Sequence, residues 1–154
     1  MALDREGELS QAYRSTVILA VPMIVSVFVY AGIVELLPRL ASSEPAAEPA
    51  TIELLRNVFR GLALANFLAA AWLGSRPPRP AGEPRARLLK LKSWTIVGLA
   101  LAESIALYGL ALFFLSRDST DFYYLFLLSL LSFILVFPRP DRWKDALNEV
   151  PMRS

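Results

Sequence analysis

Neither cysteine nor histidine occurs anywhere in the 154 residues. The first absence excludes disulfides, a thiolate nucleophile and prenyl or palmitoyl attachment; the second removes the usual imidazole base and the commonest transition-metal ligand. No haem, structural zinc or other cofactor is expected, and no metal site. Charge is sparse as well: Asp, Glu, Lys and Arg make up 19% of the chain against 55% hydrophobic residues, and the mean hydropathy is +0.46. A soluble domain of 17.1 kDa seldom carries so much apolar mass. The chain reads as one integral membrane domain over residues 1–154, a multi-pass protein of the cell membrane with the lipid bilayer as its first partner. Its basic balance (pI near 9.1) reflects loop bias. Nucleic acid is not an expected partner, because the Arg-rich loop has no interleaved aromatics and no recognition motif.

What is present in quantity is long apolar runs. They place spans at 17–37, 58–74, 94–115 and 122–137. Crossing the hydrocarbon takes about 17 to 25 helical residues, so the first and third are comfortable and the second and fourth short. The runs lack strand alternation, and a membrane barrel needs about eight or more strands. The expected fold is therefore all-α, a four-transmembrane-helix bundle of two helical hairpins.

Basic residues orient it. Arg76, Arg79, Arg85, Arg87, Lys90 and Lys92 lie between the second and third spans, and Arg139, Arg142, Lys144 and Arg153 follow the fourth. Both segments, and with them both termini, are expected on the cytoplasmic side. The opposite loops hold Arg39, Arg56, Arg60 and Arg117, and Glu44, Glu48 and Glu53 make the first of them acidic. No cleavable leader is expected: the first run is too long, and Asp4, Glu6 and Glu8 dilute any positive start.

Residues 1–13 are polar and read as a short interfacial helix or a disordered start. The stretch 38–50 holds three prolines and should not form a subdomain, with Thr51 as the candidate cap of the next helix. Pro77, Pro78, Pro80 and Pro84 break the central loop. Beyond them, Arg85, Arg87, Lys90 and Lys92 are placed to contact anionic lipid headgroups, each worth about 1 kcal/mol near the surface. Pro22 should bend the first span. Trp72, Trp94, Tyr123, Tyr124 and Trp143 lie near span boundaries and read as interfacial anchors. Glu35 reads as a hydrated interfacial carboxylate, and Arg60 as a snorkelling side chain.

Glu103 is the exception, an ionisable residue near the middle of the third span. A carboxyl at that depth is costly, and is retained for transport or for a buried contact. Held in hydrocarbon it is neutral, losing its proton only where water or a cation reaches it. Gly98, Ala102, Ala106 and Gly109 fall together along one side of this helix, small residues that permit close approach of another helix. Ser104 and Tyr108 offer hydroxyls nearby, and Asn66 on the preceding span comes level with Glu103 in an antiparallel pair. An Asn66–Glu103 hydrogen bond is the expected contact.

The stretch from Gly98 to Leu110 resembles the carboxylate-bearing helix of the c subunit, or proteolipid, of rotary ATP synthases and related ATPases. In that family a cytoplasmic loop precedes the carboxylate helix, as the Arg-rich loop precedes the third span here. The resemblance implies reversible protonation of Glu103 with Ser104 and Tyr108 as its neighbours, and a homo-oligomer or association with other membrane subunits; Asn66 joins the candidate ion site by its depth on the preceding span. Ile105 stands where sodium-binding members have a hydroxyl, which implies a proton rather than sodium. The family's glycine run is replaced by alanines between Gly61 and Trp72. Beside this reading stands another, a small four-helix accessory or assembly subunit in which Glu103 is a structural contact. An enzyme by itself is not expected, since no nucleophile or metal cluster lies beside Glu103.

Overall fold

The computed structural model describes residues 2–40, 48–76, 84–141 and 143. The expectations placed on Glu44, Pro77, Pro78, Arg79, Pro80, Arg142, Lys144 and Arg153, and on the side chains of Asp4, Glu6, Glu8, Arg39 and Arg85, lie outside the described residues and side chains.

The described residues form four helices: α1 (Ala2–Leu40), α2 (Pro49–Ser75), α3 (Pro84–Ser116) and α4 (Ser119–Val136). Among the described residues there is no strand. All four are long and apolar enough to cross a membrane, over Ser10–Pro38, Pro49–Ser75, Ala86–Ser116 and Ser119–Val136. The second and fourth spans gain length at their starts. Proline at the first position of α2 is preorganised for a helix and has no N–H to leave unpaired, so that helix begins well before its apolar run. Its N-cap is Glu48, without a side-chain bond, and Thr51 lies inside the first turn instead of capping it. In α4 the Asp118 carboxylate accepts from the Thr120 N–H at 2.9 Å and starts the helix at Ser119. The polar segment before the first span is neither separate nor irregular: it continues into α1 as one helix, with Pro22 carried inside.

The α3–α4 turn is made by Arg117, whose φ of 59° puts a non-glycine residue in the left-handed region. Its N–H bonds back to the Phe113 carbonyl at 2.8 Å, closing α3, while its buried Nε finds no hydrogen-bond partner. Glycine adopts this conformation without the Cβ penalty. Arg117→Gly is expected to stabilise the bundle by about 1 kcal/mol in thermal unfolding in detergent; a lowered midpoint would mean that the arginine makes a contact worth more than its strain.

Contacts between helices fix their directions. Gly109 lies against Phe122 and Leu125 while Gly98 lies against Val136, so α3 and α4 run antiparallel. Asn66 meets Ser104 and Trp94 meets Leu73, so α2 and α3 are antiparallel too, whereas Ser26 and Tyr30 meeting Glu103 with Val34 near Phe113 makes α1 parallel to α3. The chain thus alternates up and down. The expected pairing of α1 with α2 as a hairpin is not seen: among the described residues these two do not touch, and α3 and α4 stand between them.

Packing is inverted relative to a soluble bundle. Small side chains such as Ala20, Ala63, Ala70, Ala102, Ala106, Ser129 and Ser132 are buried, while Ile18, Leu54, Leu68, Leu127 and Ile134 are each at least 58% exposed. Where the solvent is hydrocarbon, large apolar residues gain nothing by leaving it, and close backbone approach supplies the packing energy. At the end of the bundle holding the start of α1 and the start of α3, here called the basal end, Trp143 seals the interior. It is 2% exposed, packed with Leu88 and Leu91 and set edge-on to Tyr13 at 5.9 Å. This corrects its expected role as an interfacial anchor, because the side chain packs inward between the starts of α1 and α3.

Candidate functional site: a polar belt around Glu103

Helix α3 is the hub. Glu103 and Ser104 are adjacent in sequence and therefore about 100° apart around the helix, so they address different neighbours. The Glu103 carboxylate accepts from Ser26 Oγ at 2.6 Å and from Tyr30 OH at 3.1 Å, both on α1. Ser26 and Tyr30 are four residues apart and share one face of that helix. On the other side, Asn66 of α2 donates to Ser104 Oγ at 2.7 Å and to Tyr108 OH at 3.3 Å, again a pair at i and i+4. Ser104 completes its set by donating to the Leu101 carbonyl at 2.8 Å. From α4, buried Ser129 donates to the Ala102 carbonyl at 2.6 Å. At one depth, then, each of the three other helices is tied to α3 by a polar contact.

The expected Asn66–Glu103 bond is replaced by these two separate clusters. The reason is helical phase: Tyr108 is four residues from Ser104 but five from Glu103, so Asn66 finds the two hydroxyls stacked together and the carboxyl turned away. Ser104 and Tyr108 consequently belong with Asn66, and the Tyr108 ring stacks on Phe59 at 5.5 Å, nearly parallel at 5°. Ser26 and Tyr30 went unrecognised in the sequence. Their only signal was two hydroxyls spaced four apart in an apolar run, and nothing local says which helix they face.

The residues of the small seam are distributed along the α3–α4 contact. A Cβ on Gly98 would come 2.3 Å from a Val136 methyl, and one on Gly109 would come 3.1 Å from Leu125 Cβ. Ala102 and Ala106 are fully buried in the central cluster with Leu99 and Phe133.

The far end of the bundle carries a second polar group. Asp121, buried in the first turn of α4, accepts from Arg56 Nε at 2.5 Å and from Arg60 Nη2 at 2.6 Å, which ties α2 to α4. Arg60 does extend to the surface, with 53% of its side chain exposed, but its guanidinium is held by this carboxylate. Neighbouring Asp118 is kept below the usual carboxylate range chiefly by hydrogen bonds from the Thr120 N–H and side chain, with burial opposing them and the Arg56 charge adding the smallest contribution. Glu35 accepts a hydrogen bond from Tyr123, so this tyrosine bridges α1 and α4 at the position where an anchor was expected. Trp94 likewise has an internal partner, its ring N–H donating to the Leu73 carbonyl at 3.1 Å, while Trp72 and Tyr124 remain exposed. Of the residues expected at lipid headgroups, Lys90 is exposed and Arg87 and Lys92 are half-buried near the start of α3.

Among the described residues no cluster of three or more acidic, histidine or cysteine side chains is placed to hold a metal ion. The belt offers hydroxyls, one amide and one carboxyl, a set suited to exchanging or storing a proton. Comparison with protein families, curated proteins and solved structures finds no match for this chain.

Proposed function

We propose that this chain is a membrane subunit of proteolipid type, in which Glu103 takes up and releases a proton within the bilayer, working as a homo-oligomer or with other membrane subunits. The observation that carries the reading is the number of protons at Ser26. Its Oγ lies 2.7 Å from the Met23 carbonyl and 2.6 Å from Glu103 Oε1, and one hydroxyl proton cannot serve both. With Glu103 ionised, Ser26 donates to the carboxylate. With Glu103 protonated, the acid donates to Ser26 Oγ, and Ser26 donates to the Met23 carbonyl. Both states are satisfied with no heavy atom moved, and Tyr30 donates to the same oxygen in either. A site built only for a permanent charge would be expected to offer a cation, and none of the partners of Glu103 is one.

The proposed orientation puts the basal end in the cytoplasm of a cell in whose membrane the protein sits. Arg14, Arg87, Lys90, Lys92 and Arg139 are at that end, while Arg56 and Arg60 at the other are engaged with Asp121.

A second reading has its own observation. Both hydroxyls on Glu103 come from the same chain, so the carboxyl also latches α1 to α3, as it would in an accessory subunit with no proton to carry. Labelling with dicyclohexylcarbodiimide in native membranes separates the two, because the reagent attacks a protonated carboxyl in an apolar setting. Labelling at Glu103 that falls as pH rises is expected, abolished in Glu103→Gln. The glutamine carbonyl keeps accepting both hydroxyls, so that variant should stay within about 1 kcal/mol of the parent in stability. No labelling at any pH would overturn the carrier reading and leave the latch.

A further inference from the structure

Helices α1 and α4 meet in the far half of the bundle, where Phe28 sets its ring edge-on to Phe126 and Tyr123 bonds Glu35. Toward the basal end a groove of about 540 Å³ opens between them. Ile24 and Phe28 form one wall and Leu130, Ile134 and Phe137 the other, with Arg139 at the basal mouth. The lining is almost wholly apolar, and among the described residues no acidic side chain contributes to it. Arg14 extends the pattern: it is exposed and fourteen residues before Phe28 on α1, which puts it on nearly the same side of the helix, about 21 Å toward the basal end.

We infer that this groove is a binding site for one anionic phospholipid, an acyl chain lying between α1 and α4 and the phosphate on Arg139. The charge pattern selects this occupant. A purely apolar groove facing lipid would take any chain, but a guanidinium at the mouth, beside apolar walls and without a lining carboxylate, adds a preference for a negative headgroup. A phosphate offers the planar fork of arginine two oxygens at once, which a zwitterionic headgroup offsets with its own ammonium. The site is distinct from the basic stretch at the start of α3, since neither Lys90 nor Lys92 lines this groove. It is also independent of any proton carried by Glu103.

The test is lipid retention. The protein is reconstituted in vesicles of equal phosphatidylglycerol and phosphatidylcholine, re-extracted in mild detergent, and its bound phospholipid identified by mass spectrometry. Enrichment of phosphatidylglycerol is expected, falling about fivefold in Arg139→Gln, the loss that corresponds to one basic contact. Ile134→Trp narrows the groove from its exposed wall, where the side chain is 64% exposed and makes no core contact, and should lower retention of both lipids. Lys90→Gln with Lys92→Gln should leave retention unchanged. Bound lipid in the bulk ratio, or enrichment indifferent to both Arg139→Gln and Ile134→Trp, would overturn the assignment. So would efficient disulfide cross-linking of Ile134→Cys between copies in native membranes, which would put a second copy of the chain in the groove.

Discussion

Gly74→Ala is expected to destabilise the bundle by about 2 to 3 kcal/mol, the upper part of the range for forcing an extra carbon into a packed interior. A Cβ at this position would stand 2.5 Å from the Leu135 carbonyl oxygen and 3.1 Å from its carbon, so the obstacle is the backbone of α4. Backbone can yield only by moving the helix, and α4 at this point is also packed through Val136 against Gly98 of α3. The same substitution at Gly98 meets Val136 side-chain atoms, 2.3 and 3.2 Å from its methyls and 3.4 Å from its Cβ; this β-branched side chain has little rotamer freedom, but no neighbouring backbone stands in the way and the cost should be smaller. At Gly61 and Gly32 nothing lies within 4 Å, and alanine there should be neutral or stabilise by up to about 1 kcal/mol through helix propensity. The order Gly74, then Gly98, then Gly61 in loss of thermal midpoint in detergent tests the interhelical geometry directly. Equal midpoints for Gly74→Ala and Gly61→Ala would mean that α2 and α4 do not approach as described.

Asp121→Ala is expected to cost about 3 kcal/mol, because it removes the buried carboxylate that both guanidinium groups bond, leaving Arg60 without it and Arg56 with only the longer pair to Asp118 at 3.9 Å. The side chain of Asp121 is 4% exposed, against 29% for Arg56 and 53% for Arg60. Screening of the outer arginine argues for the low end of the range for a broken buried pair. Glu35→Gln at the same end is the comparison: Glu35 is exposed, its tyrosine partner can still donate to an amide carbonyl, and the loss should stay below about 1 kcal/mol. Replacing all three charges, with Arg56→Met, Arg60→Met and Asp121→Leu, should recover most of the stability, since what is lost in the single variant is compensation rather than intrinsic attraction. A cost for Asp121→Ala no larger than that for Glu35→Gln would show the cluster to be solvated, with α4 held by packing alone.

Glu103 stood out because its chemistry conflicts with its neighbours, and the small side chains at 98, 102, 106 and 109 marked a face for close approach. Its partners did not stand out. Asn66 was assigned to Glu103 because both are polar and level in depth, yet Ser104 and Tyr108 at i and i+4 made the better-phased acceptor pair. Asp121 carries no such signal in the sequence, since an acid in the first turn of a helix is ordinarily a solvated favourable charge near the helix dipole. Only the arrival of Arg56 and Arg60 from α2 turns it into a buried hub.

The sequence by itself determined the class of the protein and the number of its helices. Both follow from local physics: in hydrocarbon a chain must satisfy its own backbone, so a sufficiently long apolar run without strand alternation reads as a helix. It also located the one carboxyl whose depth demands an explanation. The tertiary structure alone decided which helix faces which, that α1 and α2 stay apart, that Ser26 and Tyr30 hold Glu103, and that Trp143 closes the basal end. These follow from contacts between segments far apart in the chain. In water an apolar stripe announces the buried face of a helix; in a bilayer the lipid and the protein interior are equally apolar, so the buried face is chosen by small residues and a few polar groups whose partners become evident only when the helices are together.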